Sequence, residues 1–417
     1  MLKKINKIIL LVFFIKLINC NPKESDVLKN PKFFVEQLEQ SIAKYYYFSD
    51  SIPIEYYLDA LKIFEPDIKN ISIHNAREYF IEYLRKNSEK SITEKELIYK
   101  KGTYYLIKNL QGRNFYIPPS VIKAQKEKDN TAGIGLVLFE ESLGKILIID
   151  VIEGSPAYVA EIKPNQYLQA IDGTSIENFF LEEITTKIKG KPKTPLQITI
   201  QGVNYTLYRS NYSINPLRKI LWNYKNKKIL YLQIRFLSNG LEEIIKQNLF
   251  DYSNIDYLVL DLRYLSSGEI EEVYKIADLF LPERKILKIH LKNEKSIEFT
   301  TSNNIFYTGK LFVLYQQKSS PFAFALARLL ESLDNAKVLG PNKEVPIYIG
   351  KQIPLNTNNQ NNGAFYLTNG IIEFLTNPNK KNLVVIENYI SNYPPGPEPN
   401  KEDEFHKKII QLIDKWN

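Results

Sequence analysis

Apolar residues recur at three- and four-residue spacing from Asn30 to about Leu110. Phe34, Leu38, Ile42 and Tyr45 share one face behind Asn30-Pro31, a cap and first-turn pair, so the spacing predicts a helix there. A second helix is expected near Pro53, and a third carries Ala76, Phe80, Tyr83 and Leu84 on one face. Such aromatic stripes read as core rather than as a cofactor site. Between Thr131 and about Arg209 the texture changes to short strands. Residues 146–152 form one, Gly154-Ser155-Pro156 turns into a short helix, Asp172-Gly173 is a hairpin-type turn, and residues 196–200 supply a late strand. From about Asn211 strands and helices alternate, as a parallel or mixed sheet requires. Residues 229–234, 256–262 and 310–315 read as strands, the last two buried on both faces. Helices are expected over 270–281 and from Pro321 to about Leu333, and a further strand ends at Gly340. A Pro-rich stretch over 393–399 precedes a final helix, Glu402 to about Trp416.

With 417 residues, 44% hydrophobic and 24% charged, the chain has material for two or three globular domains. Its formal charge is +8, but 55 basic residues are interleaved with 47 acidic ones. That distribution reads as a solvated surface, and no nucleic-acid binding is expected. The single cysteine excludes an intrachain disulfide, a CxxC redox pair and a thiolate zinc cluster. No metal or other cofactor is expected, because His74, His290 and His406 fall respectively at a helix start, in a strand and in the terminal helix.

The position of that cysteine is informative. Residues 1–20 run from a basic start (Lys3, Lys4, Lys7) through an apolar stretch over 8–15 to Cys20, the order of a secretory signal too short to span a bilayer comfortably. Leu17-Ile18-Asn19-Cys20 resembles a bacterial lipobox, in which the cysteine becomes the acylated first residue of the mature protein. Asn19 and Lys16 depart from that pattern, and an uncleaved signal anchor is the competing reading. The polar stretch over 21–30 would serve as a tether. The expected location is the bacterial cell envelope, lipid-anchored and facing the periplasm or the outside of the cytoplasmic membrane.

Three blocks in order, Gly133-Ile134-Gly135-Leu136, then 151–157 (Val-Ile-Glu-Gly-Ser-Pro-Ala), then 170–176 (Ala-Ile-Asp-Gly-Thr-Ser-Ile), resemble a PDZ domain of the bacterial protease type. The resemblance implies that Gly133, Ile134 and Gly135 present N–H groups to a chain-terminal carboxylate while Leu136, Val137 and Leu138 receive the peptide as an added strand. The plain alternative is that the glycines only permit a tight turn. Tyr116-Ile117-Pro118-Pro119-Ser120, the run 257–263 (Tyr-Leu-Val-Leu-Asp-Leu-Arg) and 276–281 (Ile-Ala-Asp-Leu-Phe-Leu) are similar to the C-terminal processing, or tail-specific, serine peptidases. That likeness covers about residues 30–410. With the signal peptide read over 1–20, it implies an α/β multidomain protein: a tether and helical N-terminal arm over 21–130, a PDZ β-sandwich or barrel-like domain over 131–209, and an α/β peptidase-like, ClpP/crotonase-like core over 210–417.

The family uses a serine nucleophile, a lysine base and an assisting glutamine. Carried across without gaps, these positions fall on Pro321, Pro346 and Gly350, and Ser267 replaces a glycine expected near the oxyanion hole. Ser320-Pro321 instead reads as a helix cap and first turn. No catalytic residue is therefore expected, and the chain reads as a pseudopeptidase that binds polypeptide C-termini or envelope proteins. The alternative is a serine endopeptidase trimming C-terminal tails, with Ser319 or Ser320 as nucleophile and Lys343 or Lys351 as base. A structural envelope protein with a closed PDZ groove is the third reading.

Overall fold

The computed structural model describes residues 27–66, 71–87, 90, 92–126, 132–266, 268–342, 344–355, 363–387, 389 and 399–416. Cys20, Ser267, Lys343 and most of the Pro-rich stretch lie outside these.

The chain opens with helices α1 (Pro31–Tyr45), α2 (Ile54–Phe64), α3 (Ala76–Lys86) and α4 (Ile92–Ile107). Asn30 caps α1 by accepting the Phe33 N–H, and Pro31 fills its first turn. Phe34, Leu38 and Ile42 face inward from α1, and Phe80 and Leu84 from α3. After β1 (Phe115–Ile117) and α5 (Pro119–Lys126) comes a compact unit. It comprises β2 (Leu136–Ser142), β3 (Lys145–Val151), α6 (Pro156–Val159), β4 (Gln166–Ile171), β5 (Thr174–Ser175), α7 (Leu181–Ile188), β6 (Pro195–Ile200) and β7 (Val203–Tyr208). Its antiparallel sheet has the order β2-β3-β4-β6-β7, with β5 on β4, and isolated bridges at Ala132–Gly190 and Gly133–Ser210 close it. Ile134, Ile148, Leu168, Ile184 and Ile198 are among its core residues.

The remainder runs β8 (Leu217–Tyr224), β9 (Lys227–Ile234), α8 (Leu241–Asp251), β10 (Tyr257–Asp261), α9 (Ile270–Asp278), β11 (Lys285–Leu291) and β12 (Ile297–Thr300). It continues with β13 (Lys310–Leu314), α10 (Pro321–Leu330), β14 (Ala336–Gly340), β15 (Tyr348–Pro354), β16 (Ala364–Phe374), β17 (Leu383–Val385) and α11 (Glu404–Ile413). Strands β17-β14-β13-β10-β9-β8 form one sheet, parallel except for the edge strand β8. Alternation of side chains decides what covers each face. Leu230, Leu232, Leu258, Leu260, Leu311 and Val313 pack with α8, α9 and α10. Ile229, Tyr231, Tyr257, Val259, Phe312 and Leu314 meet Phe405, Ile409 and Ile413 of α11 on the other side.

The single parallel or mixed sheet expected after Asn211 is in fact two. Strands β11, β12, β15 and β16 leave it and pair antiparallel with one another, and β1 joins them through β16. Ile353, Leu355, Phe365 and Leu367 share a core with α1–α4, so the N-terminal helices are packed onto this second sheet rather than forming a separate arm.

Candidate functional site at the start of helix α10

Strand β13 delivers the chain to a short loop, 315–320, that precedes α10. The loop is held by the turn after β10: Ser320 N–H donates to the Leu265 carbonyl at 3.2 Å, and Gln316 Nε2 donates to the Arg263 carbonyl at 3.1 Å. Ser319 is buried; its Oγ donates to the Arg263 carbonyl at 3.2 Å and accepts the Gln316 N–H at 2.9 Å. The Ser320 hydroxyl accepts the Ala323 N–H at 3.4 Å, and Pro321 occupies the first turn, where a missing N–H costs nothing. Both hydroxyls are thus engaged by backbone groups, and among the described residues neither hydrogen-bonds a lysine.

The other positions are equally unlike a general-base site. Pro346 borders a cavity that Phe324 also lines. Gly350 lies on β15, where an added Cβ would come 2.1 Å from Tyr366 Cζ, so the tyrosine ring fills the space a glutamine would need. Lys351 Nζ lies 3.4 Å from Glu294 and over the Tyr45 ring, partners that do not touch Ser319 or Ser320. It is not brought to the loop, because its strand belongs to the second sheet.

In the 132–210 unit, β2 is the outer strand and lies beside α7, where Glu140 accepts the Leu181 N–H. Leu136 and Leu138 are half-buried against the unit's core. The expected carboxylate nest needs correction at Gly133, whose N–H donates to the Ser210 carbonyl at 3.2 Å to close the unit. Gly135 has φ +87°, and a Cβ there would collide with Ser155, so glycine is required. Tyr212 lies against this loop: its hydroxyl would stand 2.9 Å from a Cβ placed on Gly133, and burial pushes its ionisation up.

Residues 228–372 match Peptidase family S41, and residues 123–201 match the PDZ domain family. A PDZ match followed by an S41 match makes the chain similar to the PDZ-containing, C-terminal processing peptidases. A carboxyl-terminal-processing protease from Picosynechococcus is 28% identical over 222 residues, 50% of this chain and 53% of that protein. The carboxy-terminal processing protease CtpA of Bacillus subtilis is 26% identical over 219 residues, 50% of this chain and 46% of that one. The chain therefore spans about half the length of the curated relatives it matches. The solved photosystem II D1 C-terminal processing protease shares the fold, with a TM-score of 0.58 at 14% identity, covering 85% of this chain and 93% of that one.

Within this peptidase framework, sequence reasoning missed Lys318. It lies within the 315–320 loop, where its Nζ pairs with Glu141 of the PDZ strand β2 and sits over the Tyr167 ring. Glu141 is partly desolvated, but hydrogen bonds from Lys145, Lys318 and Tyr167 hold its carboxyl below the usual range. The PDZ domain is thereby tied to the peptidase loop itself. Sequence reasoning also missed that His290 lies between Ser296 (3.2 Å) and Glu373 (2.6 Å). This cluster sits on an open sheet surface, and neither described cavity borders it. Lys318 had no local signal; His290 and Glu373 come together only when β11 pairs with β16.

Proposed function

We propose that this protein captures polypeptide C-termini through its PDZ domain and carries a peptidase fold that does not cleave them. The observation that carries the reading is the start of α10. Pro321, on which the family's nucleophile position falls when carried across without gaps, fills the first turn, and the flanking Ser319 and Ser320 hydroxyls are engaged by backbone groups. Serine-lysine catalysis needs a hydroxyl and a desolvated amine within hydrogen-bond reach, and each one-residue shift at a helix start re-aims a side chain by roughly 100°. A displaced serine would also give up a helix cap to become a nucleophile.

Purified protein incubated with an unfolded, tail-bearing polypeptide is expected to leave it intact over hours. It is expected to bind tail peptides with a free apolar C-terminus more tightly than their amides. Turnover that disappears in Ser319→Ala or Ser320→Ala, and again in Lys343→Ala or Lys351→Ala, would overturn the inactive reading. Equal binding of acid and amide would overturn the carboxylate site.

We also read Cys20 as the acylated first residue of the mature protein, on the basic, apolar, cysteine order of residues 1–20. Cells fed a palmitate analogue should label the wild type and not Cys20→Ala; labelling of both would remove the anchor from the picture.

A further inference from the structure

A cavity of about 560 Å³ runs along α10 on the side facing β16, within the size range of small-molecule sites. Phe324, Arg328 and Glu331 line it from successive turns of the helix, and Phe374 and Lys380 face them. The Arg328 guanidinium lies over the Phe374 ring, 5.9 Å from its centroid, and its Nη1 is buried with no hydrogen-bond partner. Glu331, three residues on, is 7% exposed and closes no ion pair with it. Burial raises the Glu331 carboxyl above its usual range, against the pull of Arg328 and Lys380.

A buried guanidinium edge without an acceptor is destabilising, and guanidinium matches a carboxylate by two parallel hydrogen bonds. Phe324 and Phe374 supply an apolar wall beside it. The charged lining is balanced, Arg328 and Lys380 against Glu331 and Glu344. Two carboxylates in the lining would repel a phosphate dianion far more than a monoanion. From this geometry we propose that the cavity is a binding site for a small apolar monocarboxylate, with Arg328 as the carboxylate-binding residue. It is separate from the PDZ groove and does not depend on the reading given above.

The test uses the full chain and N-acetyl-L-phenylalanine as probe, with N-acetyl-L-phenylalaninamide as its uncharged counterpart, followed by calorimetric titration. Wild type should bind the acid saturably and the amide roughly tenfold more weakly or worse, the scale of a lost charge-assisted bond. Arg328→Met should weaken the acid by a similar factor with an unchanged or raised melting temperature, because an orphaned charge is replaced by an apolar chain of similar length. Glu331→Gln should tighten the acid several-fold by removing a competing carboxylate. Tail peptides should bind Arg328→Met as they bind wild type, which separates this site from the PDZ reading. No saturable binding of the acid, undiminished binding by Arg328→Met, or a clear drop in that variant's melting temperature would each overturn the proposal.

Discussion

At the scale of single residues, burial and partner decide what a side chain does. Arg263 is fully buried between Asp261, Asp403 and Tyr231, with its Nε 2.9 Å from Asp261 and its Nη1 2.8 Å from Asp403. His406 completes this cluster. Its Nδ1 accepts the Asn400 N–H at 3.0 Å, and its ring packs edge-on against Trp222. Burial, reinforced by the Arg263 charge and opposed by Asp403 and Asp261, lowers its pKa to about 4. The unfolded chain, titrating near the ordinary 6.5, binds the proton first. The contribution is therefore full above about pH 6.5 and is lost as pH falls through about 4. The shift corresponds to on the order of 3 kcal/mol across that window. Urea unfolding of wild type and His406→Gln between pH 7 and 4.5 should show a steeper decline in the wild type. Parallel slopes would mean that His406 does not carry this proton linkage.

At the scale of elements, the legible parts of the sequence were those with strong local patterns. β10 and β13 are uninterrupted apolar runs and α10 has a Ser-Pro start, so each was identified with bounds close to those observed. β15 and β16 were not. Residues 364–374 mix Thr368, Asn369 and Gly370 into a strand whose partner β1 lies some 250 residues earlier, and pairing at that range leaves no local trace. Tyr212 was missed for the same reason. It belongs to the segment between β7 and β8, yet its hydroxyl lies against the 133–135 loop that a peptide carboxylate would use. A ligand must displace that phenol, so the apparent affinity is reduced by the fraction of molecules in which it is bound. Tyr212→Ala should therefore tighten free-acid tail peptides several-fold while leaving their amides nearly unchanged. Fluorescence anisotropy with both peptide forms would decide it, and equal affinity for the acid in variant and wild type would rule out the phenol as a competitor.

At the scale of the whole molecule, the question is what fixes the PDZ domain against the rest. Arg235 lies 3.0 Å from Asp150, a buried pair without hydrogen-bond alignment, and Arg113 bridges Glu140 and Glu182. The best-formed link is Lys100 of α4, whose ammonium lies 2.7 and 2.9 Å from the two oxygens of Glu183 in α7. Both side chains are nearly inaccessible, at 3% and 10% exposure. Burial pulls the Lys100 ammonium down and pushes the Glu183 carboxyl up, each shift only partly offset by the partner's charge. A pair of this kind adds little net stability, because desolvation consumes most of the attraction, but removing one partner strands the other and costs roughly 3–5 kcal/mol. Glu183 also accepts the Phe180 N–H that caps α7, so glutamine is the substitution that preserves the helix start. Lys100→Met should therefore loosen the contact between α4 and α7, seen as faster amide hydrogen exchange in α7 and around Phe180. Lys100→Met combined with Glu183→Gln should recover most of the protection, since no uncompensated charge remains. If the double variant exchanges as fast as Lys100→Met alone, the ion pair is not what holds the PDZ domain in place, and docking must rest on the apolar contacts of Phe180 with Phe115 and Tyr104.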